Sequence, residues 1–249
     1  GRVAVELASV MPDQKTVYIS DDGTNVGLFM YVADVAGDLS SGNLYAAKWT
    51  QTSDEGAGAA DISWVSLGHS DDITVQKAIE SGVTFSDIFE TADIADDGSC
   101  PAGFSASNAE GAAECLMVKP GMDAIASRLE TRRYASMLGA TTEFRKMEGI
   151  TYNPDHHSVY LAMSEVAKAM EGDSKGDLGG SDDIRVAKNS CGAVYELSLS
   201  TSYQATSIAS VVEGKPAEYA DGTPEAGNSC DLDGIANPDN LTYLPGYDT

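Results

Sequence analysis

Short stretches of alternating apolar and polar residues, separated by turn residues, dominate the chain. Glycine is abundant, with 25 residues, and runs of β-branched and aromatic residues recur between clusters of Gly, Asp, Asn and Pro. Alternation with a period of two places apolar side chains on one face of a β-strand, and the intervening residues favour turns. The pattern therefore predicts a protein built mainly from β-strands and turns.

One segment of the chain is repeated. The stretch MPDQKTVYIS (residues 11–20) matches NPDHHSVYLA (residues 153–162), and LTYLPGYDT (residues 241–249) resembles the start of a third copy. Because Pro fixes φ and Asp bonds the backbone ahead of it, each Pro-Asp pair predicts a tight turn before a strand. A further strand follows each full copy, GLFMYVAD and GAVYELSL. Repeated four-strand units are typical of a β-propeller, and a β-sandwich is the main alternative.

Three stretches interrupt the strand pattern and are predicted insertions. Residues 69–140 carry two helical patterns, SDDITVQKAIESG and MDAIASRLETRRYASMLGA, and Gly139 is placed to cap the second one. Residues 171–190 and 213–230 are polar loops rich in Gly and Asp. We predict a single domain over residues 1–249 that is incomplete at both ends, because the chain opens on a strand-like stretch and stops after a hairpin turn.

The chain is strongly acidic, with 39 Asp and Glu against 15 Lys and Arg and a formal net charge of −24. Such a surface repels nucleic-acid phosphates and anionic lipid headgroups, so we expect neither as a partner. It attracts divalent cations, although a salt-tolerant surface explains most of the charge. The sequence contains no transmembrane run.

Four cysteines occur in loop contexts, and none of them forms a CxxC pair, which argues against a structural zinc site. Cys100 and Cys115 flank a loop rich in Gly, Ala and Ser and suit a local disulfide. Cys191 and Cys230 are available for a second disulfide. Four free buried thiols are the alternative, whereas two disulfides would indicate an oxidising compartment.

Motifs along the chain resemble, in order, those of one enzyme family. FRKMEGITYNP…VYLAMSEV, DDIRVAKNSCGAVYEL and IANPDNLTYLPGYDT are similar to consecutive motifs of the PhoX-type alkaline phosphatases. VELASVMPDQKTVYISDDGTNVGLFMYVAD and SGNLYAAKW resemble the upstream blades of that family. The resemblance implies about half of a six-bladed propeller, with the remaining parts of the same propeller chain as partner. It also implies a secreted or periplasmic enzyme that hydrolyses phosphate monoesters with a cluster of calcium and iron.

The resemblance assigns metal-binding roles to three carboxylates, Glu6, Glu148 and Asp239. Glu6 is in addition the one carboxylate of an otherwise apolar stretch, VAVELASV, and a buried carboxylate requires a partner or a metal. Each assignment has a structural alternative. Glu6 would face solvent on an edge strand, Glu148 would pair with a neighbouring cation, and Asp239 would form a turn.

Lys146 and Arg145 are the candidate catalytic cations. The resembled family has an Arg-Pro-Glu pattern where this chain has Lys146-Met147-Glu148, so Lys146 occupies the position of the phosphate-binding Arg. Arg145, one place earlier, is the alternative, because a lysine offers a point charge and not the fork of an arginine. Asp22, in SDDGTNVG, is a further candidate metal ligand, and a turn explains it equally well.

Together these features predict a metal-dependent phosphomonoesterase that releases inorganic phosphate. The main alternative is a non-catalytic, calcium-stabilised secreted propeller that acts as a binding or surface-layer module, and a lactonase or phosphotriesterase propeller with one calcium is a third hypothesis. A serine hydrolase triad is disfavoured, because Ser164 and Ser190 have no His/Asp partner in the sequence and His156 and His157 fall in a predicted exposed turn.

Overall fold

The fold is mainly β, as the alternating pattern predicts. The computed structural model describes residues 1–247 and contains, within them, fourteen strands and four short α-helices. The last two residues of the predicted third copy, Asp248 and Thr249, lie outside the described residues.

Nine strands form one large antiparallel sheet. From one edge to the other the strands are β1 (Val5–Val10), β2 (Thr16–Asp21), β4 (Phe29–Val35), β5 (Asp38–Ser53), β6 (Ala59–Asp71), β14 (Ala205–Glu213), β13 (Ala193–Leu199), β12 (Ser158–Met163) and β11 (Met147–Asn153). The two edge strands, β1 and β11, lie against each other, so the sheet is nearly closed. Closure brings together residues that are far apart in sequence.

The sheet contains the predicted repeat twice. The run β1–β2–β4–β5 belongs to the first copy and the run β11–β12–β13–β14 to the second, and both are consecutive antiparallel strands. In the first turn Asp13 accepts hydrogen bonds from the backbone N–H groups of Lys15 and Thr16, as predicted. In the second turn Asn153, before the proline, accepts the equivalent bonds, whereas Asp155 accepts one from the Tyr243 hydroxyl. The two copies therefore stabilise their turns through side chains at different positions of the repeat.

The remaining strands and the helices lie outside this sheet. Strand β3 (Thr24–Val26) pairs with β10 (Phe144–Arg145), and β9 (Glu114–Val118) pairs with both β7 (Phe89–Ala92) and β8 (Ser105–Ser107). The helices are α1 (Asp72–Glu80), α2 (Phe85–Ile88), α3 (Asp123–Leu129) and α4 (Thr131–Met137).

The second predicted helix is in fact two helices. Glu130 separates them with non-helical dihedrals, φ −128° and ψ 47°, and its carboxylate binds both Arg2 and Arg133. Helical periodicity continues through this residue, so the sequence pattern does not show the break. Gly139 follows the second helix with φ +84° and donates to the Ser136 carbonyl, which confirms the predicted cap.

Two apolar clusters form the core. One contains Tyr18, Trp49, Phe144 and Tyr195, and the Trp49 ring lies edge-on to Phe144 and Tyr195 at centroid distances of 6.1 and 6.5 Å. It also includes Met147, which is completely buried. The other cluster packs the helices and the small three-stranded sheet against the large sheet through side chains such as Phe29, Leu67, Leu116 and Tyr134. The first cluster lies beneath the candidate site and supports it.

Both predicted disulfides are present, Cys100–Cys115 and Cys191–Cys230. Within residues 1–247, no helix has the length and apolar character that a bilayer-spanning helix requires.

Candidate metal centre

Three carboxylates meet where the edges of the large sheet approach each other. One oxygen of each of Glu6, Glu148 and Asp239 lies within 4.8 Å of the others. Glu6 belongs to edge strand β1, Glu148 to edge strand β11, and Asp239 to the segment that follows β14. The structure therefore brings together the three carboxylates that the sequence analysis selected from distant parts of the chain.

A β-bulge positions each of the two glutamates. The register of β1 against β2 shifts between Val5 and Ala8, and that of β11 against β12 shifts between Met147 and Ile150. In both strands the extra residue lies in the interval that contains the glutamate. A bulge bends a strand and redirects a side chain, and bulges are frequent next to functional sites.

All three carboxylates occupy the same position of the internal repeat. Glu6 lies six residues before Pro12, Glu148 six before Pro154, and Asp239 six before Pro245. When repeats are arranged around a common centre, the residues at equivalent positions of successive repeats all lie around that centre. This periodicity of carboxylate and proline is visible in the sequence, and it is the signal that the sequence analysis missed.

The segment of Asp239 is fastened to β11 through a close backbone approach. The Gly149 N–H donates to the Asp239 carbonyl at 3.0 Å. A Cβ atom on Gly149 would lie 2.8 Å from the backbone nitrogen of Leu241 and 2.9 Å from the carbonyl oxygen of Asp239. Only glycine therefore allows the third carboxylate segment to lie this close to the second.

A second anchor holds the same segment two residues earlier. Asn237 adopts φ +49°, its amide donates to the carbonyls of Ser164 and Ser190 at 2.9 Å each, and its N–H donates to the Cys191 carbonyl. Cys191 is also disulfide-bonded to Cys230, which precedes this segment. The disulfide and the amide together restrict where the Asp239 side chain can lie.

The three carboxylates differ in burial. Glu148 is 5% exposed and accepts a hydrogen bond from the Ser164 hydroxyl at 2.7 Å, whereas Glu6 and Asp239 are exposed. The expectation that Glu6 is buried is wrong, because β1 is an edge strand with an open face. The burial argument for a metal at Glu6 therefore fails, and its candidacy rests on the proximity of the other two carboxylates.

Lys146 lies beside this cluster. Its ammonium nitrogen is 2.6 Å from Asp22 Oδ1 and 3.6 Å from Glu148 Oε1. Lys146 lies between β10 and β11, belongs to neither strand, and directly precedes the fully buried Met147. Lys146 itself has φ +49°, a strained conformation for a lysine that is found mainly where structure enforces it. The hydrogen bond that Lys146 donates to Asp22, followed by the charge of Glu148, raises the pKa of Lys146 above its ordinary value.

Arg145 is a candidate phosphate ligand and Asp22 a candidate metal ligand, but in the structure both contact other protein groups. The Arg145 guanidinium contacts the Glu165 carboxylate and the Thr24 hydroxyl. Asp22 contacts Lys146 and is not among the three clustered carboxylates. Of the two candidate cations, the structure places Lys146 next to the cluster.

His156, His157 and Ser164 are not arranged for nucleophilic catalysis. His69 contacts the Ser41 hydroxyl and the Asp34 carboxylate, but through the same ring nitrogen, Nε2, whereas a catalytic triad uses both nitrogens. His156 is exposed, as predicted, but His157 is partly buried and its ring packs against Tyr152 and Tyr203. Ser164 donates to Glu148 and not to a histidine.

The protein is thus mainly β, and carboxylate oxygens from three segments lie together where the strand edges meet. The chain belongs to the PhoX alkaline phosphatase family, because the model of that family, described as alkaline phosphatase PhoX, matches residues 1–245. The resemblance found in the motifs is therefore confirmed. No curated protein matches the chain significantly.

A solved structure shares this fold. Pseudomonas fluorescens PhoX in complex with vanadate, a transition state analogue, superposes with a TM-score of 0.59 at 19% sequence identity. The match covers 98% of this chain and 38% of the chain of that structure. The chain thus spans well under half the length of the protein that it resembles in structure.

Proposed function

We propose that this chain carries part of the active site of a metal-dependent phosphomonoesterase that releases inorganic phosphate from organic phosphate esters. The observation that carries the proposal is the juxtaposition of three carboxylates with the ammonium of Lys146. Membership of the PhoX alkaline phosphatase family supports it.

The donor set fits hard cations. Glu6, Glu148 and Asp239 offer only carboxylate oxygens, which suit Ca²⁺ and the iron that the motif resemblance implies. The 4.8 Å limit on the separations between their oxygens is compatible with shared coordination. Bound ions would supply Lewis-acid neutralisation of phosphoryl oxygens and an activated oxygen nucleophile.

Lys146 binds the phosphoryl group in this proposal. Its ammonium is held by Asp22 at 2.6 Å and lies beside Glu148, so it is oriented before substrate arrives. A phosphoryl oxygen of the substrate would accept one of its three N–H donors, and the charge that develops during transfer strengthens this contact. Ser164 holds the Glu148 carboxylate in place through its hydroxyl.

The sequence also assigns phosphate binding to Arg145 and metal binding to Asp22, and each role would require that an existing contact be broken. Arg145 would have to leave Glu165 and Thr24 to reach phosphate, and Asp22 would have to release Lys146 to bind a metal ion. Both changes exchange an existing ion pair or hydrogen bond for a new one.

The repeat geometry supports a propeller. Two runs of four consecutive antiparallel strands and a third repeat position all contribute a carboxylate to one place. We propose that the chain is about half of a six-bladed propeller, one domain with insertions near residues 69–140, 171–190 and 213–230, and that the remaining blades belong to the rest of the protein. The two disulfides support a secreted or periplasmic location.

Turnover of p-nitrophenyl phosphate by the full-length protein tests the proposal. Glu148→Gln should lower kcat/KM by about 100-fold or more, because loss of metal-site interactions commonly has effects of this size. Glu90→Gln is the matched control, since Glu90 is exposed on β7, outside the cluster. Absence of turnover in the wild-type protein supplied with calcium and iron would contradict the proposal and favour a calcium-stabilised binding propeller.

A further inference from the structure

A second group of three carboxylates lies apart from the candidate metal centre. One oxygen of each of Glu143, Asp177 and Asp182 lies within 4.8 Å of the others. Glu143 precedes β10, whereas Asp177 and Asp182 belong to the loop between β12 and β13. The group therefore joins a long loop to the segment that leads into Lys146.

Several oxygens of this group are buried without a hydrogen-bond partner. Both carboxylate oxygens of Asp177 and Oδ1 of Asp182 each expose less than 1 Å² and accept no hydrogen bond of normal geometry. The Ser174 backbone N–H lowers the pKa of the Asp177 carboxyl, but burial has the larger effect and raises that pKa. Buried polar atoms in native proteins almost always have a partner, so three such oxygens in one place indicate that a ligand completes them.

The protein groups around the cluster do not neutralise it. Glu143 is 0% exposed and accepts the backbone N–H groups of Asp183 and Ile184 and the Ser181 hydroxyl. Arg185 binds only Oδ2 of Asp182 and is itself well exposed. Lys48 is engaged by Asp183, and Lys175 is an exposed residue that lines the same cavity as Asp177 and Asp182. Among the described residues, Arg185 is the one cation that forms an ion pair with the group.

The crowding is visible in the acidity of the cluster. Burial, with a further contribution from the charge of Asp183, raises the pKa of Glu143 to about 8. Burial, and then the charges of Asp182 and Asp173, raises the pKa of Asp177 to about 6.

We propose that Glu143, Asp177 and Asp182 bind a structural calcium ion that fastens the loop between β12 and β13 to the segment before β10. Calcium prefers carboxylate oxygens at about 2.3–2.6 Å, so two oxygens on opposite sides of one ion are about 4.6–5.2 Å apart. Oxygens that lie within 4.8 Å of one another are therefore close enough to share one calcium ion. Asp177 and Asp182 also line an open cavity of about 590 Å³, which gives the ion a route from solvent.

This ion has a structural and not a reactive role. Gly176 in the same loop accepts hydrogen bonds from the side chains of Asn25 and Asn108, so the loop already packs against two other parts of the chain. The ion would add a third attachment, at Glu143, three residues before Lys146. The inference does not depend on the proposed phosphatase activity.

The test compares Asp177→Asn with Asp173→Asn in the full-length protein, with calcium alone as the probe. Asp173 is exposed in the same loop and lies outside the cluster, and its φ of +56° suits asparagine, so it is a matched control. Bound calcium is counted by elemental analysis after removal of excess metal. The unfolding temperature is measured in EGTA and in calcium.

We expect Asp177→Asn to bind one calcium fewer per chain than Asp173→Asn and to lose part of the calcium-induced rise in unfolding temperature. In EGTA its unfolding temperature should not fall below that of the wild type, because the amide removes a buried charge without a partner. Asp182→Asn is the second variant and should lose the same ion. Glu148→Gln should retain it, which separates this ion from any catalytic one.

Equal calcium content and equal calcium stabilisation in Asp177→Asn, Asp182→Asn and Asp173→Asn would overturn the proposal. The proposal would also be overturned if Glu148→Gln lost this calcium ion and Asp177→Asn retained it. Failure of phosphatase turnover would leave it unaffected.

Discussion

In each of the two groups the carboxylates are close enough to share a cation, but the surroundings of the two groups differ. Glu6, Glu148 and Asp239 lie on strand edges and on a repeat position, two of them are exposed, and Lys146 lies beside them. The second group lies in loop segments, only Glu143 in it is fully buried, and among the described residues Arg185 is the one cation that forms an ion pair with it. Spacing alone therefore does not distinguish a site that meets substrate from one that holds the fold together.

The neighbouring charge and the access to solvent make the distinction. A site for a phosphate ester has to be open and needs a cation that is not consumed by the metal ligands. A structural ion needs buried oxygens that the protein leaves without a partner. The first group has the former properties and the second has the latter.

The largest effect is expected from removing the disulfide behind the first group. Cys191→Ser with Cys230→Ser should lower the free energy of unfolding by about 4 kcal/mol, because chain entropy in the unfolded state rises with the length of the closed loop. It should also weaken metal binding at Asp239, whose segment follows Cys230. Urea denaturation measures the first effect and metal titration the second.

The other disulfide provides the control for this prediction. Cys100→Ser with Cys115→Ser opens a loop with a sequence separation of 15 and should lower the free energy of unfolding by about 3 kcal/mol. Metal binding at the first group should be unchanged. If both double variants lost the same amount of metal, the Cys191–Cys230 disulfide would have no specific role in metal binding at Asp239.

Lys146→Met should lower kcat/KM for p-nitrophenyl phosphate by about 10²–10³-fold, a loss typical of removing one group that stabilises transition-state charge. Lys146→Arg should retain more activity, because the positive charge remains. Metal content should stay the same in both variants. A loss of metal in Lys146→Met would mean that the lysine supports the ligands and does not bind phosphate.

Gly149→Ala should destabilise the protein by about 1–3 kcal/mol, a typical effect of overpacking, because its Cβ would collide with the Asp239 segment. Gly234→Ala is the control, since the nearest atom to its Cβ would be 3.7 Å away. Thermal unfolding compares the two. If Gly149→Ala is as stable as the control and binds metal normally, the close approach is not needed to place Asp239.

The smallest effect is expected from Arg145→Met. Its guanidinium binds Glu165 and Thr24, so its removal should change stability by about 1 kcal/mol or less and turnover by less than about 10-fold. Steady-state kinetics measures the change in turnover. A loss of about 100-fold would transfer the phosphate-binding role from Lys146 to Arg145.

Local patterns made much of the fold predictable. The repeat, the helical segment of α1, the cap at Gly139 and both disulfides follow from residues close in sequence or from pairing of a few cysteines. The break at Glu130 was not predictable, because it depends on ion pairs with Arg2 and Arg133 from other segments.

The first group of carboxylates was found through motifs, and its periodicity before proline would have strengthened the prediction. The sequence left open whether Glu6 is buried or faces solvent on an edge strand, because an apolar stretch does not reveal that its strand is an edge. The choice between Lys146 and Arg145 depends on the backbone conformation at Lys146, φ +49°, which separates two strands with different partners. The second group could not be predicted, since the approach of Asp177 to Glu143 depends on how a polar loop packs.

Anomalous diffraction from crystals of the full-length protein, grown without chelator and measured at the iron edge and at a wavelength sensitive to calcium, tests the account most directly. We expect metal peaks between the carboxylates of Glu6, Glu148 and Asp239, with the Lys146 ammonium nearby. A structure with fully occupied metal ions elsewhere and none within bonding distance of Glu148 would contradict the account.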